Sequence, residues 1–313
     1  FLISPPFRKK IREALIFKKT CEEIPLTIKE GDVIAGWYGC ESDADIKIEN
    51  NRDFAFVDAY TKKERSIKQK LLSDFCIDSG RARAHTCIDY GHIITFGLKN
   101  YEKKVMNELN KENLSESKRI LLEAMLISIE SVKIYAKRFS DLASKTFDKT
   151  KEERLLKIKT ALSSVPYEPA KNFYEAISAI WIMHSLIPIS ENCWDSLSLG
   201  RVDQYLYKKN KKSIENGESI DELKGYLKNL FIFLDSFGDG ACALNIGGMD
   251  KDGNDEMNEL SRLLLEVEKE MCLAAPIFVI RTNPNTPEDI IDESIDIKLF
   301  SIGQPSYYGE MPC

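Results

Sequence analysis

The chain has 313 residues, 43% hydrophobic and 30% charged, which is enough apolar material for a large core in one or two domains. A net charge of −6 without any basic stripe argues against a nucleic-acid partner. The longest apolar stretch, around 177–189, is broken by His184, Ser185 and Pro188 and is too short to span a bilayer, so no membrane partner is expected.

In chain order, Arg8–Glu22 has a helical pattern with Ile11, Ala14, Leu15 and Phe17 as its apolar positions. Residues 24–36 alternate and carry Gly31 and Gly36, which predicts a strand with a turn at each end. Residues 41–66 are polar and acid-rich, as expected of surface. Leu98–Leu109 reads as a helix. Ile120–Phe139 gives the clearest helical signal, with Leu121, Met125, Ile129, Val132, Ala136 and Phe139 on one face. Pro166 and Pro169 mark a break. Ala170–Leu186 is apolar nearly all round, hence a helix buried on several sides. A further helix follows Gly200, then a polar loop over 210–218, a helix over Ile220–Asp235 and a short buried strand over Ala241–Gly248. A turn at Asp250–Asn254, a helix over Glu256–Glu270 and a strand over Ala275–Arg281, ended by Pro284 and Pro287, complete the series. Residues 1–165 thus form a mainly helical region. Helix and strand alternate over 166–313, which favours a helix-rich α/β barrel or layered sheet.

The eight cysteines include no C-x-x-C pair, so neither a zinc knuckle nor a redox motif is indicated. Scattered thiols in a chain this long fit a reduced, cytoplasmic protein. The chain starts at Phe1 and stops at Cys313 without a polar tail. Trimming or a cleaved leader would explain this, but a fragment of a longer protein is the expectation.

Asp250-x-Asp252-Gly253-Asn254 only superficially resembles a calcium loop. Its glycine is fourth and Ser261 is twelfth, whereas an EF-hand needs Gly at six and Glu at twelve, so a hairpin turn and no metal is the reading. Gly247-Gly248 lacks dinucleotide-site spacing. His184 reads as a packed histidine near a helix C-terminus, where positive charge is tolerated. His85, between Arg81 and His92, belongs either to a polar loop or to a cleft where an imidazole serves acid–base chemistry. Asp195-Ser196 is either a helix cap or a carboxylate and hydroxyl aimed at a substrate hydroxyl. Arg201 and Asp203, lying in an aromatic-rich and so buried stretch, read as a structural ion pair that ties elements together with Gln204.

Ser198-Leu-Gly-Arg-Val-Asp-Gln-Tyr-Leu-Tyr207 resembles the S-x-G-R-x-D-Q-Y-L-Y segment of glycyl radical enzymes of the pyruvate formate-lyase-like and dehydratase branch. Other stretches agree in order: Glu23–Gly36; His85-Thr-x-x-Asp89-Tyr with Gly97-Leu98; Asn245–Ser261 with its Gly-Gly-Met-Asp; Pro276–Arg281; and Gly303-Gln-Pro-Ser-Tyr-Tyr. Ala84 stands where the family has glycine, and Tyr307-Tyr-Gly-Glu310 where it has Phe-Asn-Asp, which points to a divergent subfamily.

This resemblance implies the N-terminal part of a ten-stranded α/β barrel. In such enzymes a radical-SAM activating enzyme places a radical on a backbone glycine. The radical passes to a cysteine, whose thiyl abstracts a substrate hydrogen, and the barrel shields these species from water. His85, Asp195 and Ser196 fall on positions that contact substrate in the dehydratases, with Asp195 closest to hydroxyproline dehydratase-like members. No Gly-Cys-x-Glu loop occurs, so the radical cysteine, its glutamate and the radical glycine are expected beyond this chain, and Cys87, Cys193 and Cys313 sit on no radical position. The implied function is that of a lyase or dehydratase acting on a small polar substrate in a cytoplasmic homodimer, with this chain inert by itself. The alternative is a non-catalytic, truncated scaffold that keeps the fold for binding.

Overall fold

The computed structural model describes residues 5–38, 87–146, 152–191, 197–236, 242–300 and 303–310. The chain divides into two compact units that interleave in sequence. One comprises Phe1–Arg83, Ile93–Ala170 and Ser178–Cys193; the other comprises Ala84–His92, Lys171–Ile177 and Trp194–Cys313. Among the described residues no helix is long and apolar enough to cross a membrane.

The first unit is built from α1 (Pro5–Glu23), α2 (Tyr90–Leu109, from Ile93 on), α3 (Glu116–Lys145), α4 (Glu152–Leu162) and most of α5 (Phe173–Glu191). The strand predicted over 24–36 is reduced to β1 (Leu26–Thr27), which pairs antiparallel with β2 (Trp37–Tyr38) just beyond that stretch. Between them the backbone satisfies itself on side chains instead of a ladder. The Lys29 N–H donates to Asp32 Oδ2 at 2.6 Å, and the Arg154 guanidinium donates to the Asp32 carbonyl. The C-terminus of α1 is closed by Arg138 of α3, whose guanidinium donates to the carbonyls of Cys21 and Ile24, each at 2.7 Å. That serves the unpaired carbonyls and the negative end of the helix dipole together.

Helix α3 starts at its cap Ser115, earlier than its apolar pattern predicts, and buries Ile120 and Ala124 in its first turns. Leu121 and Met125, expected on the buried face, are instead exposed. Helix α2 is broken at Gly97, with φ 71° and ψ 166°. The chain at Pro166–Ala170 crosses there and takes over the broken ladder. Leu98 N–H donates to the Pro166 carbonyl, Lys99 N–H to that of Tyr167, and Ala170 N–H to that of Ile94, each at 3.0 Å. In α5, the buried Trp181 donates from Nε1 to the Gly36 carbonyl at 2.6 Å and stacks on Trp37 with ring centroids 6.1 Å apart. His184 is buried in the same helix, and burial pushes its pKa down to about 3. It is therefore neutral, not the tolerated cation that its place near a helix end suggests.

The second unit is a four-stranded parallel sheet. Strands β3 (Gly200–Arg201), β4 (Ala243–Gly247), β5 (Ile277–Thr282) and β6 (Ser306–Gly309) lie side by side in chain order. Helices α6 (Val202–Glu215) and α7 (Ile220–Ser236) join β3 to β4, α8 (Glu259–Met271) joins β4 to β5, and α9 (Glu288–Phe300) joins β5 to β6. Helix α6 continues through 210–215, where a loop is predicted. Its buried stripe there is polar, Asn210 and Ser213, and Ser213 Oγ accepts the Phe173 N–H at 3.1 Å. Alternation sorts the sheet residues onto two faces. Leu244, Ile246, Phe278, Ile280 and Tyr307 face the helices: Phe278 meets Phe231 of α7 edge-on, and the Tyr307 hydroxyl meets Ser294 of α9 at 2.9 Å. Asn245, Val279, Arg281, Ser306 and Tyr308 take the opposite face. The Asp250–Asn254 segment is the expected hairpin turn, with Met249 and Asp255 bridged antiparallel across it.

Candidate functional site

The sheet ends in a polar network at the C-terminal tips of its strands, where parallel α/β sheets place their functional groups. Arg201 closes β3. Its guanidinium donates to the Gly247 carbonyl at 2.6 Å and to the Glu256 carboxylate. Gln204 Nε2 donates to the Glu256 carbonyl at 2.8 Å. Asp203, fully buried in the first turn of α6, accepts from the Gly247 N–H at 2.7 Å and from Ser261 Oγ at 2.6 Å. Burial pushes its pKa up to about 6, against the pull of these hydrogen bonds and of Arg201. The ion pair read between Arg201 and Asp203 is thus replaced by two separate anchors: Arg201 pairs with Glu256, while Asp203 ties α6 to β4 and α8. The reason is geometric, since Asp203 turns inward with the helix while Arg201 stays on the strand.

At the next two tips, Arg281 of β5 pairs with Glu310, and Glu310 Oε2 accepts the Met249 N–H at 2.6 Å. Gly248 must be glycine here. Its φ is 102°, and a Cβ would lie 2.8 Å from Glu310 Oε2 and 3.1 Å from the Arg201 guanidinium. Burial, then the charge of Arg201, lowers the Arg281 pKa. Each has its own carboxylate, so neither guanidinium is left without a counter-charge. Glu256, Ser261 and Glu310 were missed in the sequence because each looks like an ordinary solvated residue of a loop or helix start. The Arg281 and Glu310 contributions lie far along the chain from Arg201.

At the opposite edge, Cys87 and Ser198 form a parallel bridge, which sets the segment carrying Cys87 beside the start of β3. Asp89 Oδ1 accepts the His92 N–H at 2.9 Å and so caps α2, while the buried Tyr90 ring lies 6.2 Å from that of Tyr205. The Tyr205 hydroxyl donates to the Leu199 carbonyl at 2.9 Å. The tyrosines of the two motifs therefore meet in packing. Cys87 is exposed as a residue but its sulfur lies against Gly200, and this partial burial, followed by the charge of Asp89, raises its pKa, so it is no ready thiolate. His85, Asp195 and Ser196, the predicted substrate contacts, lie outside the described residues, as do Cys193 and Cys313.

Comparison with known proteins gives a consistent picture. The pyruvate formate lyase-like family matches residues 48–311. Trans-4-hydroxy-L-proline dehydratase of Clostridioides difficile is 25% identical over 95% of this chain and 46% of its own length. Isethionate sulfite-lyase of Bilophila wadsworthia is 28% identical over 78% of this chain and 33% of its own length. The crystal structure of a glycyl radical enzyme from Archaeoglobus fulgidus superimposes with a TM-score of 0.72 at 24% identity, covering 92% of this chain and 45% of that one. The chain spans less than half the length of these relatives.

Proposed function

The chain belongs to the pyruvate formate lyase-like family, as the N-terminal portion of a glycyl radical enzyme, and on that premise we propose that the whole protein is a lyase or dehydratase of a small polar substrate. The glycyl radical, installed by a radical-SAM activating enzyme, supplies the thiyl radical that abstracts a substrate hydrogen. What this chain contributes is the wall that binds and orients the substrate, held by the network around Arg201, Asp203 and Gln204. In this reading the protein works as a cytoplasmic homodimer.

The observation that carries the reading is the Cys87–Ser198 bridge. It pairs the two motif segments to which the proposed substrate contacts belong by sequence, His85 with the one and Asp195 and Ser196 with the other. Asp195 would accept from a substrate hydroxyl or a cationic amine, and His85 would help a hydroxyl depart by general acid catalysis.

The test is turnover by the full-length protein after anaerobic activation. His85→Gln and Asp195→Asn should each lower kcat by about 10²-fold, with unchanged circular dichroism and an unchanged glycyl-radical spin count. Undiminished turnover in both variants would sink the assignment.

A further inference from the structure

Asn245 sits in the middle of β4, between the fully buried Leu244 and Ile246. Asparagine is a poor strand former. Leu244 and Ile246 point to the helices, so alternation turns Asn245 to the other face of the sheet. There its register neighbours are Arg201 of β3 and Val279 of β5. Its amide makes no hydrogen bond with any described residue, although it is only half-exposed. Val279 on one side and Ala243 and Ile277 one row back are apolar, while Arg201 stands on the other side. A polar group without a local partner on a partly apolar, partly screened strip costs free energy unless something else satisfies it.

We propose that the Asn245 amide is a substrate contact that receives a neutral hydroxyl of a small substrate, and so helps to determine specificity. This rests on the functional reading above and names a residue outside it. An amide offers both a donor and an acceptor, which suits a hydroxyl that is also both. An anionic substrate group is the poorer match. The two guanidiniums of this face, Arg201 and Arg281, are already paired with Glu256 and Glu310, so the row has no unbalanced positive charge to offer. The apolar neighbours strengthen a single hydrogen bond by keeping water from competing for it.

The experiment uses the full-length protein, with glycerol, 1,2-propanediol, trans-4-hydroxy-L-proline and isethionate as probes. Asn245→Val, a strong strand former, should fold as well as the wild type and isolates the loss of the amide. Calorimetric binding to the unactivated protein should weaken about fivefold to tenfold for whichever probe the wild type binds. After activation, KM for that probe should rise by the same factor, with the glycyl-radical signal intact. Equal affinity and equal KM in wild type and Asn245→Val would overturn the proposal, and so would the wild type binding none of the four. Turnover that proves indifferent to His85 and Asp195 would instead count against the functional reading, and the binding measurement still decides for Asn245.

Discussion

Glu268 is almost fully buried on α8, and neither carboxylate oxygen has a hydrogen-bond partner among the described residues. Burial alone pushes its pKa up to about 7 from an ordinary value of 4.5. Asp203 is equally buried, and its pKa rises from 3.8 to about 6 although two donors hold its oxygen. Desolvation dominates in both groups, and the hydrogen bonds donated to Asp203 do not cancel it. For Glu268 the neutral form is favoured in the folded state. Its contribution to stability is fully present below pH 4.5, declines as pH rises towards about 7, and is lost above that. At about 1.4 kcal/mol per pH unit, the full loss is on the order of 3 kcal/mol. Glu268→Gln removes the ionisation while keeping the shape. The variant should therefore gain stability over the wild type between pH 5 and pH 8, with little difference at pH 4. Urea denaturation across that range measures it, and parallel curves for the two proteins would rule the assignment out. Glu268 carries no warning in the sequence, because a glutamate in an amphipathic helix normally faces water.

The long helices were legible in the sequence because their apolar stripes repeat at helical spacing, and β4 and β5 because short apolar runs stand between turns. Strand β3 has only two residues, too few to show any period. Helix α9 was hidden because Ile290, Ile291, Ile295 and Ile297 are spread around it among acids instead of gathered on one face. The break in α2 could not be read either, since Gly97 looks like a tolerated helical glycine until the chain at Tyr167 is seen crossing it. A Cβ at Gly97 would lie 2.2 Å from the Tyr167 carbonyl oxygen, at a φ and ψ that only glycine adopts readily. Gly97→Ala should cost about 3 kcal/mol or more. Gly225 in α7 is the control, because a Cβ there meets nothing within 4 Å. Gly225→Ala should stabilise by about 0.5 to 1 kcal/mol. Thermal denaturation of the two variants side by side is the measurement. Opposite shifts in Tm are expected, and a neutral Gly97→Ala would mean that the crossing chain is not fixed there.

At the level of the whole molecule, the family was written in short motifs, and the structure shows what several of them do. Asp89 caps a helix, Tyr90 and Tyr205 meet in packing, Asp203 ties three elements together, and Gly248 makes room for two charged side chains. These are requirements of folding, which is why the motifs name the fold more securely than the substrate. The same sheet also sets how the chain behaves in solution. Strand β6 pairs only with β5 among the described residues, and Tyr308 on it is 64% exposed. On the adjoining helix, Leu299 and Phe300 are 71% and 88% exposed. A strand edge unpaired among the described residues, together with large exposed apolar side chains on the preceding helix, is a template for association. This chain expressed alone should therefore self-associate as its concentration rises. Leu299→Lys with Phe300→Lys should lower that association while leaving helix content unchanged, because neither side chain is part of the buried face of α9 formed by Ile290, Ser294 and Ile297. Sedimentation velocity across a concentration series measures it. Equal association of the double variant and the wild type would place the contact on another surface. Loss of association only in the variant would make this edge and helix the place where the chain seeks a partner.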